Sequence, residues 1–140
     1  MAEVSRCLLD TCVLIRLERA HLGDYIDAQP FLSAVTIAEL AFGLDTDDPV
    51  ERFARTERYY AALQTFEVLP FGVEEAKVYG QMASLVRRAG RSPRPRRMDL
   101  QIAATAAVAG MPVLTMNVKD FKDVERLVEV VPIRQVQRPA

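Results

Sequence analysis

Short apolar runs alternate with longer segments in which apolar positions return every three or four residues, from one end of the chain to the other. Residues 6–9 form a run that ends at Asp10 and predicts a buried strand, and Val13, Leu14, Ile15 and Leu17 after it predict a helix. Gly23 and Pro30 bracket an irregular stretch around residues 24–27. Residues 31–35 predict a second strand, after which Thr36-Ile37-Ala38-Glu39 has the form of a capping box that opens a helix. Residues 45–49 form a loop, and Pro49 suits the first turn of a helix predicted over 50–65. A third strand is predicted at 66–71, then a helix at 73–89 stopped by Gly90. Ser92-Pro93-Arg94-Pro95 cannot lie inside a helix. An alanine-rich helix follows at 99–109, a strand at 112–116, a short helix at 120–127 and a last strand at 128–133.

Strands that alternate with helices predict an α/β fold with a mainly parallel sheet covered on both faces. With 140 residues the chain is one domain, with a core over about 7–133 and a frayed tail over 134–140. No internal repeat, low-complexity segment or second domain is visible.

Composition narrows the chemistry. Half the residues are hydrophobic and the net charge is −1, so attraction to a polyanion has to come from a local patch and not from a global field. Cys7 and Cys12 are the only cysteines and read as buried free thiols, since a bridge across this strand-to-helix step would be strained. His21 is the only histidine, which argues against a Cys/His zinc site and excludes acid–base work by paired histidines. The N-terminal apolar run is too short for a signal peptide, and the stretch 100–116 is broken by Gln101, Gly110 and Pro112. A cytoplasmic location is expected.

Asp10, Glu39, Asp99 and Asp120, the last with Asn117 nearby, each fall where a predicted strand hands over to a helix. In an open α/β sheet that edge is where ligands bind. Each acid alone has a structural use. Asp10 and Asp99 suit helix N-caps, Glu39 the capping box, and Asp120 the positive end of a short helix. As a set they are harder to explain that way. At about 5 Å and an effective dielectric near 20, each pair of carboxylates costs roughly 3 kcal/mol. A hard divalent cation such as Mg²⁺ or Mn²⁺ reverses that sign. Such an ion lowers the pKa of water and draws off charge that develops on a phosphoryl oxygen, while a free carboxylate orients or deprotonates the attacking water.

DTCVLI, TIAEL, MDLQIAATA and LTMNVKDF, in this order and spacing, resemble the motifs of PIN-domain ribonucleases, in particular VapC-type toxins of bacterial toxin–antitoxin pairs. The resemblance runs from about Cys7 to Ile133. It implies a three-layer α/β/α fold with a parallel five-stranded sheet, dependence on Mg²⁺ or Mn²⁺, and cleavage of RNA. It also implies a homodimer and a cognate VapB-type antitoxin. Asp10, Glu39 and Asp99 fall on the three acids most often found in the family's site. Asp10 and Asp99 look like direct metal ligands, and Glu39 like a water-mediated ligand or the residue that orients the nucleophile. Asn117 stands where the family often has aspartate, so Asp120 either compensates or only caps its helix. Thr115 matches a hydroxyl found near the site, either beside the RNA phosphate or as a strand-end residue.

Residues 87–97 carry Arg87, Arg88, Arg91, Arg94, Arg96 and Arg97 and no acid. Arg87 and Arg88 suit a helix C-terminus. Arg94, Arg96 and Arg97 run directly into Asp99 and are candidates to grip RNA phosphates and to offset repulsion among the acids. Phe53, Tyr59, Tyr60, Phe66, Val78, Tyr79 and Met82 recur at helical spacing and are expected in the core, although adjacent Tyr59 and Tyr60 cannot face the same way. The rival to an enzyme is a non-catalytic RNA-binding or protein-interaction module on the same scaffold. A receiver-like domain fits badly, because Leu8-Leu9 and not an acidic pair precede Asp10. A haloacid-type phosphatase would need an aspartate where Cys12 stands.

Overall fold

The computed structural model describes residues 5–136. In chain order the elements are β1 (Arg6–Leu9), α1 (Thr11–Ile15), β2 (Ala20–His21), β3 (Gln29–Ser33), α2 (Ala34–Phe42), α3 (Pro49–Thr65), β4 (Glu67–Leu69), α4 (Val73–Arg88), α5 (Arg97–Ala109), β5 (Val113–Thr115), β6 (Val130–Pro132) and β7 (Arg134–Gln135). Short 3₁₀ segments lie at Leu17–Arg19, Gly23–Tyr25, Arg94–Arg96 and Val118–Val124. Five strands form one sheet in the order β4-β3-β1-β5-β6, and every neighbouring pair is parallel. The chain builds outward from β1 through β3 to β4, then crosses back to lay β5 and β6 on the other side.

Both faces of this sheet are covered, because successive residues of each central strand are apolar on both sides. Leu8, Phe31 and Val113 pack with Met82 and Val86 of α4, Leu100 and Ala103 of α5, and Phe121. Cys7, Leu9, Leu32 and Leu114 pack on the opposite face with Val13 and Leu14 of α1, Leu40 of α2 and Ala62 of α3. This is the α/β/α layering expected from the alternating pattern. The alanines of α5 explain its deep seat: Ala103, Ala104 and Ala106 are fully buried, and their small side chains let the helix approach its neighbours closely. Gly110 ends α5 in the left-handed conformation (φ +69°), which an L side chain adopts only with strain. Among the described residues no helix is long and apolar enough to cross a membrane.

Several boundaries differ from the sequence expectation. The second strand ends at Ser33, and Ser33 caps α2 by accepting from the Val35 amide at 3.1 Å. Thr36 therefore sits inside the helix, fully buried, and does not form a capping box with Glu39. The helix expected at 120–127 is instead the 3₁₀ segment Val118–Val124. The expected tail begins in order: Arg134–Gln135 pair antiparallel with Ala20–His21, a ribbon the short apolar runs did not reveal. Residues 137–140 of that tail lie outside the described residues. Phe53 and Tyr60 are not core. They are 69% and 58% exposed, because only one face of α3 meets the sheet, while Tyr59 turns inward and meets Tyr60 edge-on at 5.2 Å.

Ser33 also ties the two layers together. Thr105 Oγ1 donates its one proton to the Gln101 carbonyl (2.9 Å), so in the 2.9 Å contact with Ser33 it is the serine that donates. Ser33→Ala removes both the cap and a buried hydrogen bond. A loss of about 1–2 kcal/mol in urea denaturation is expected, without loss of the fold.

Candidate functional site

The strand order reverses beside β1, so the C-terminal ends of β1, β3 and β5 border a crevice, the usual ligand position in open α/β sheets. Asp10 is the first residue beyond β1 and caps α1. It is only 3% exposed. Its Oδ1 accepts from the Thr11 amide at 2.9 Å, and its Oδ2 accepts from the Thr115 hydroxyl at 2.8 Å and the Cys12 thiol at 3.3 Å. Burial raises its pKa, these three donors pull it back down, and Asp120 raises it again. Cys7 is buried as expected and its thiol is pushed up to about 11 by that burial. Cys12 is only half-buried, because it faces the crevice.

Thr115 is fully buried at the end of β5. Its one proton goes to Asp10 while its oxygen accepts from the Asn117 amide at 3.0 Å. Thr115 fixes Asp10 and starts the turn that carries Asn117, whose side chain lies at the exposed start of the 3₁₀ segment.

Glu39 lies on the second turn of α2, half-buried, and its Oε1 accepts from the Thr11 hydroxyl at 2.8 Å. With that proton committed, Thr11 can only accept in its 3.1 Å contact with Thr36. The result is a relay of two hydroxyls that aims Glu39. Thr11 and Thr36 were not among the sequence candidates. The available signal was position: Thr11 follows a strand-end acid directly, at the first residue of a helix facing the same crevice.

Asp99 does not follow a strand. It lies in the first turn of α5, after a 3₁₀ turn. It reaches the same edge because α5 runs antiparallel to the sheet: its last carbonyl, at Ala109, lies 3.4 Å from Arg6 Nη2 at the start of β1. Burial pushes the Asp99 carboxyl up to about 7, helped by Asp10, Asp120 and Glu39 in that order and opposed by Arg96. Glu39 is likewise raised, first by burial and then by Asp10, with Thr11 opposing. The four acids are thus within electrostatic reach of one another.

The arginines divide. Arg94 and Arg97 are exposed, whereas Arg96 turns inward, its Nε 4.0 Å from Asp120 Oδ1 and its buried Nη1 without a hydrogen-bond partner among the described residues. Arg91 is engaged with Asp123 at 3.3 Å. That approach lacks hydrogen-bond geometry, since Asp123 Oδ2 is buried without a hydrogen bond, and it is an ion pair only. A cavity of about 590 Å³ lies around Gly80 and Ser84 of α4 and is lined by none of the acids.

Among the described residues no three His, Cys, Asp or Glu side chains stand in an arrangement that would by itself hold a metal ion. The donors are all hard oxygens, and their carboxyls are raised first by burial and then by one another's charge. Mg²⁺ keeps several waters and commonly takes only one or two carboxylates. The set suits a largely hydrated divalent cation and not a cage of protein ligands.

The sequence profile of the PIN domain matches residues 7–127. A protein named Ribonuclease VapC from Rickettsia bellii is 30% identical over 91% of this chain and 97% of its own length. Ribonuclease VapC5 from Mycobacterium tuberculosis is 32% identical over 91% and 93%. The crystal structure of VapBC-5 from Mycobacterium tuberculosis, a member of the VapBC family of toxin-antitoxin systems, superimposes with a TM-score of 0.76 at 28% identity, covering 91% of this chain and 98% of the other. The chain belongs to the PIN domain family, and within it to the VapC type.

Proposed function

We propose that this protein is a divalent-metal-dependent endoribonuclease, the toxin of a toxin–antitoxin pair, acting on RNA in the cytoplasm. The observation that carries the reading is the convergence of Asp10, Glu39, Asp99 and Asp120 on one sheet edge, with Asp99 raised to about 7 by burial and by the other three. A non-catalytic module would have no use for carboxylates that destabilise one another. The names of the relatives, ribonucleases of the VapC type, support the substrate class. The VapBC structures support a VapB-type antitoxin as partner. The exposed apolar residues Val50, Phe53, Tyr60 and Leu63 on α3 offer surface for that antitoxin or for a second copy of the chain in a homodimer.

Asp10 and Asp99 would hold Mg²⁺ or Mn²⁺, which when bound supplies positive charge against the phosphoryl oxygens and lowers the pKa of water. Thr115, Cys12 and the Thr11 amide keep Asp10 in one rotamer. The Thr11–Thr36 relay holds Oε1 of Glu39 and leaves Oε2 to take a proton from the attacking water. The water oxygen bonds to phosphorus, the bond to the 3′ oxygen breaks, and that oxygen takes a proton from solvent water, giving 5′-phosphate and 3′-hydroxyl ends. Arg96, already beside Asp120, offers charge to the phosphate, and exposed Arg94 and Arg97 grip the flanking backbone. Asn117 brings an amide and no charge to the fourth position, so Asp120 is the remaining acid there.

Three outcomes test this reading. Asp10→Asn and Asp99→Asn should each lower RNA cleavage by about a hundredfold or more in Mg²⁺ while the circular dichroism spectrum stays native. EDTA should abolish cleavage by the parent protein and added Mg²⁺ should restore it. Retained cleavage by purified Asp99→Asn protein would remove the assignment.

The second outcome concerns stability. The folded-state carboxyl of Asp99 lies above its unfolded value near 4, so the folded protein holds an extra proton between about pH 4 and 7. Stability from this group is therefore present below pH about 4 and is lost as pH rises through about 7. In EDTA, Asp99→Asn should raise the melting temperature above neutral pH by a few degrees, the order expected for about 1 kcal/mol in a chain this size, and should flatten its fall with pH. Mg²⁺ should do the same to the parent.

Third, Arg94→Gln with Arg97→Gln should weaken RNA binding and reduce the slope of log affinity against log salt by about 0.7 for each phosphate no longer gripped. An unchanged slope would remove those two residues from the interface.

A further inference from the structure

A second cavity, about 410 Å³, opens directly off the acidic crevice. Thr11, Ile15, Glu39, Leu40 and Gly43 line it together with Glu51, Arg55 and Arg58 of α3, and Glu51 is paired with Arg55. The two arginines differ. Arg55 is committed: its Nη1 donates to the Gly43 carbonyl at 2.8 Å and its Nε lies 3.4 Å from Glu51. Arg58 is half-buried, and among the described residues it makes no hydrogen bond or ion pair. A partly desolvated guanidinium with no counter-ion is unfavourable alone and favours an anion with several acceptor oxygens.

The position of the cavity says which anion. The acids sit at the reversal of strand order beside β1. Arg96 meets them from the β5 side, through Asp120 in the segment after β5. The Arg58 cavity meets them from the β3 side, through Glu39 on the helix after β3. A polyanion laid across the crevice therefore meets a cation on each flank. Ile15, 40% exposed, and Leu40 give the cavity an apolar wall suited to a ribose or base edge. Its volume lies within the range of small-ligand sites.

We propose that the α2–α3 cavity is a nucleotide subsite for single-stranded RNA, in which Arg58 binds a phosphate next to the one cleaved, on the side opposite Arg94 and Arg97. This rests on the ribonuclease reading above and adds the path of the strand. Arg58 is a substrate-binding residue in it, and Arg55 positions the α2 end through Gly43.

The test compares the parent with Arg58→Gln and Arg58→Lys. Binding of an end-labelled single-stranded RNA of about a dozen nucleotides is followed by anisotropy in EDTA across a salt series, and cleavage of the same RNA is followed in Mg²⁺. Arg58→Gln is expected to weaken binding by about five- to tenfold, to reduce the salt slope by about 0.7, and to raise KM by a similar factor. Arg58→Lys keeps the charge and is expected to recover the slope. Melting curves check folding, and if Arg58→Gln fails to fold the lysine variant still decides, through a parental slope with weaker binding. If the parent cleaves RNA and Arg58→Gln matches it in affinity, slope and KM, this inference falls while the ribonuclease reading stands. The inference falls in the same way if Arg58→Gln loses affinity only for a co-expressed antitoxin, which would make the cavity a protein-binding surface. If the parent neither binds nor cleaves RNA, both fall together.

Discussion

The structure depends on keeping a carboxylate out of water at the end of its central strand. Asp10 is held there by three donors from three directions: the amide of the next residue, a thiol two residues along, and a hydroxyl from the neighbouring strand β5. The last of these is available only if β1 and β5 are in register, with Leu9 opposite Leu114. The register is fixed in turn by the alternation of apolar side chains to the two faces, since a one-residue slip would send Leu8 and Val113 to the wrong layer. The packing of the sheet and the position of the acid are therefore one constraint.

The other acids add a tension that the fold tolerates without removing. Hydroxyls, amides and one inward arginine offset part of the repulsion, and Asp99, raised first by burial and then by its acidic neighbours, keeps a carboxyl displaced to about 7. Concentrating like charge at a crevice lowers stability locally and creates affinity for whatever reverses the charge. A core of fully buried aliphatic residues and alanines on both faces supplies the margin.

Much of this was legible in the sequence. The order of strands and helices follows from the lengths of apolar runs, and the strand-end position of Asp10 follows from the run that stops at it. Glu39 and Asp99 were placed at the right edge for partly wrong reasons. Thr36 looked like a helix cap because its spacing to Glu39 satisfies the capping pattern, but Ser33 begins the helix earlier, and local spacing cannot distinguish two hydroxyls three residues apart. Asp99 looked like a strand-to-helix residue, whereas an antiparallel helix brings it round. The pairing of Thr115 with Asp10, the Thr11–Thr36 relay and the inward turn of Arg96 all join residues remote in sequence, which no periodicity in one chain encodes. The exposure of Phe53 and Tyr60 was hidden because aromatic spacing reports a helical face without reporting what covers it.

The β1–β5 register has a consequence for when the acidic crevice takes shape during synthesis. Chains emerge from the ribosome amino end first. Asp10 emerges 105 residues before Thr115, whose strand and hydroxyl order it, and Asp120 follows after it. The ribbon that joins Ala20–His21 to Arg134–Gln135 closes later still. A stalled or shortened nascent chain therefore carries the acids without their geometry. The ordered arrangement of the crevice waits for β5, a delay imposed by topology alone.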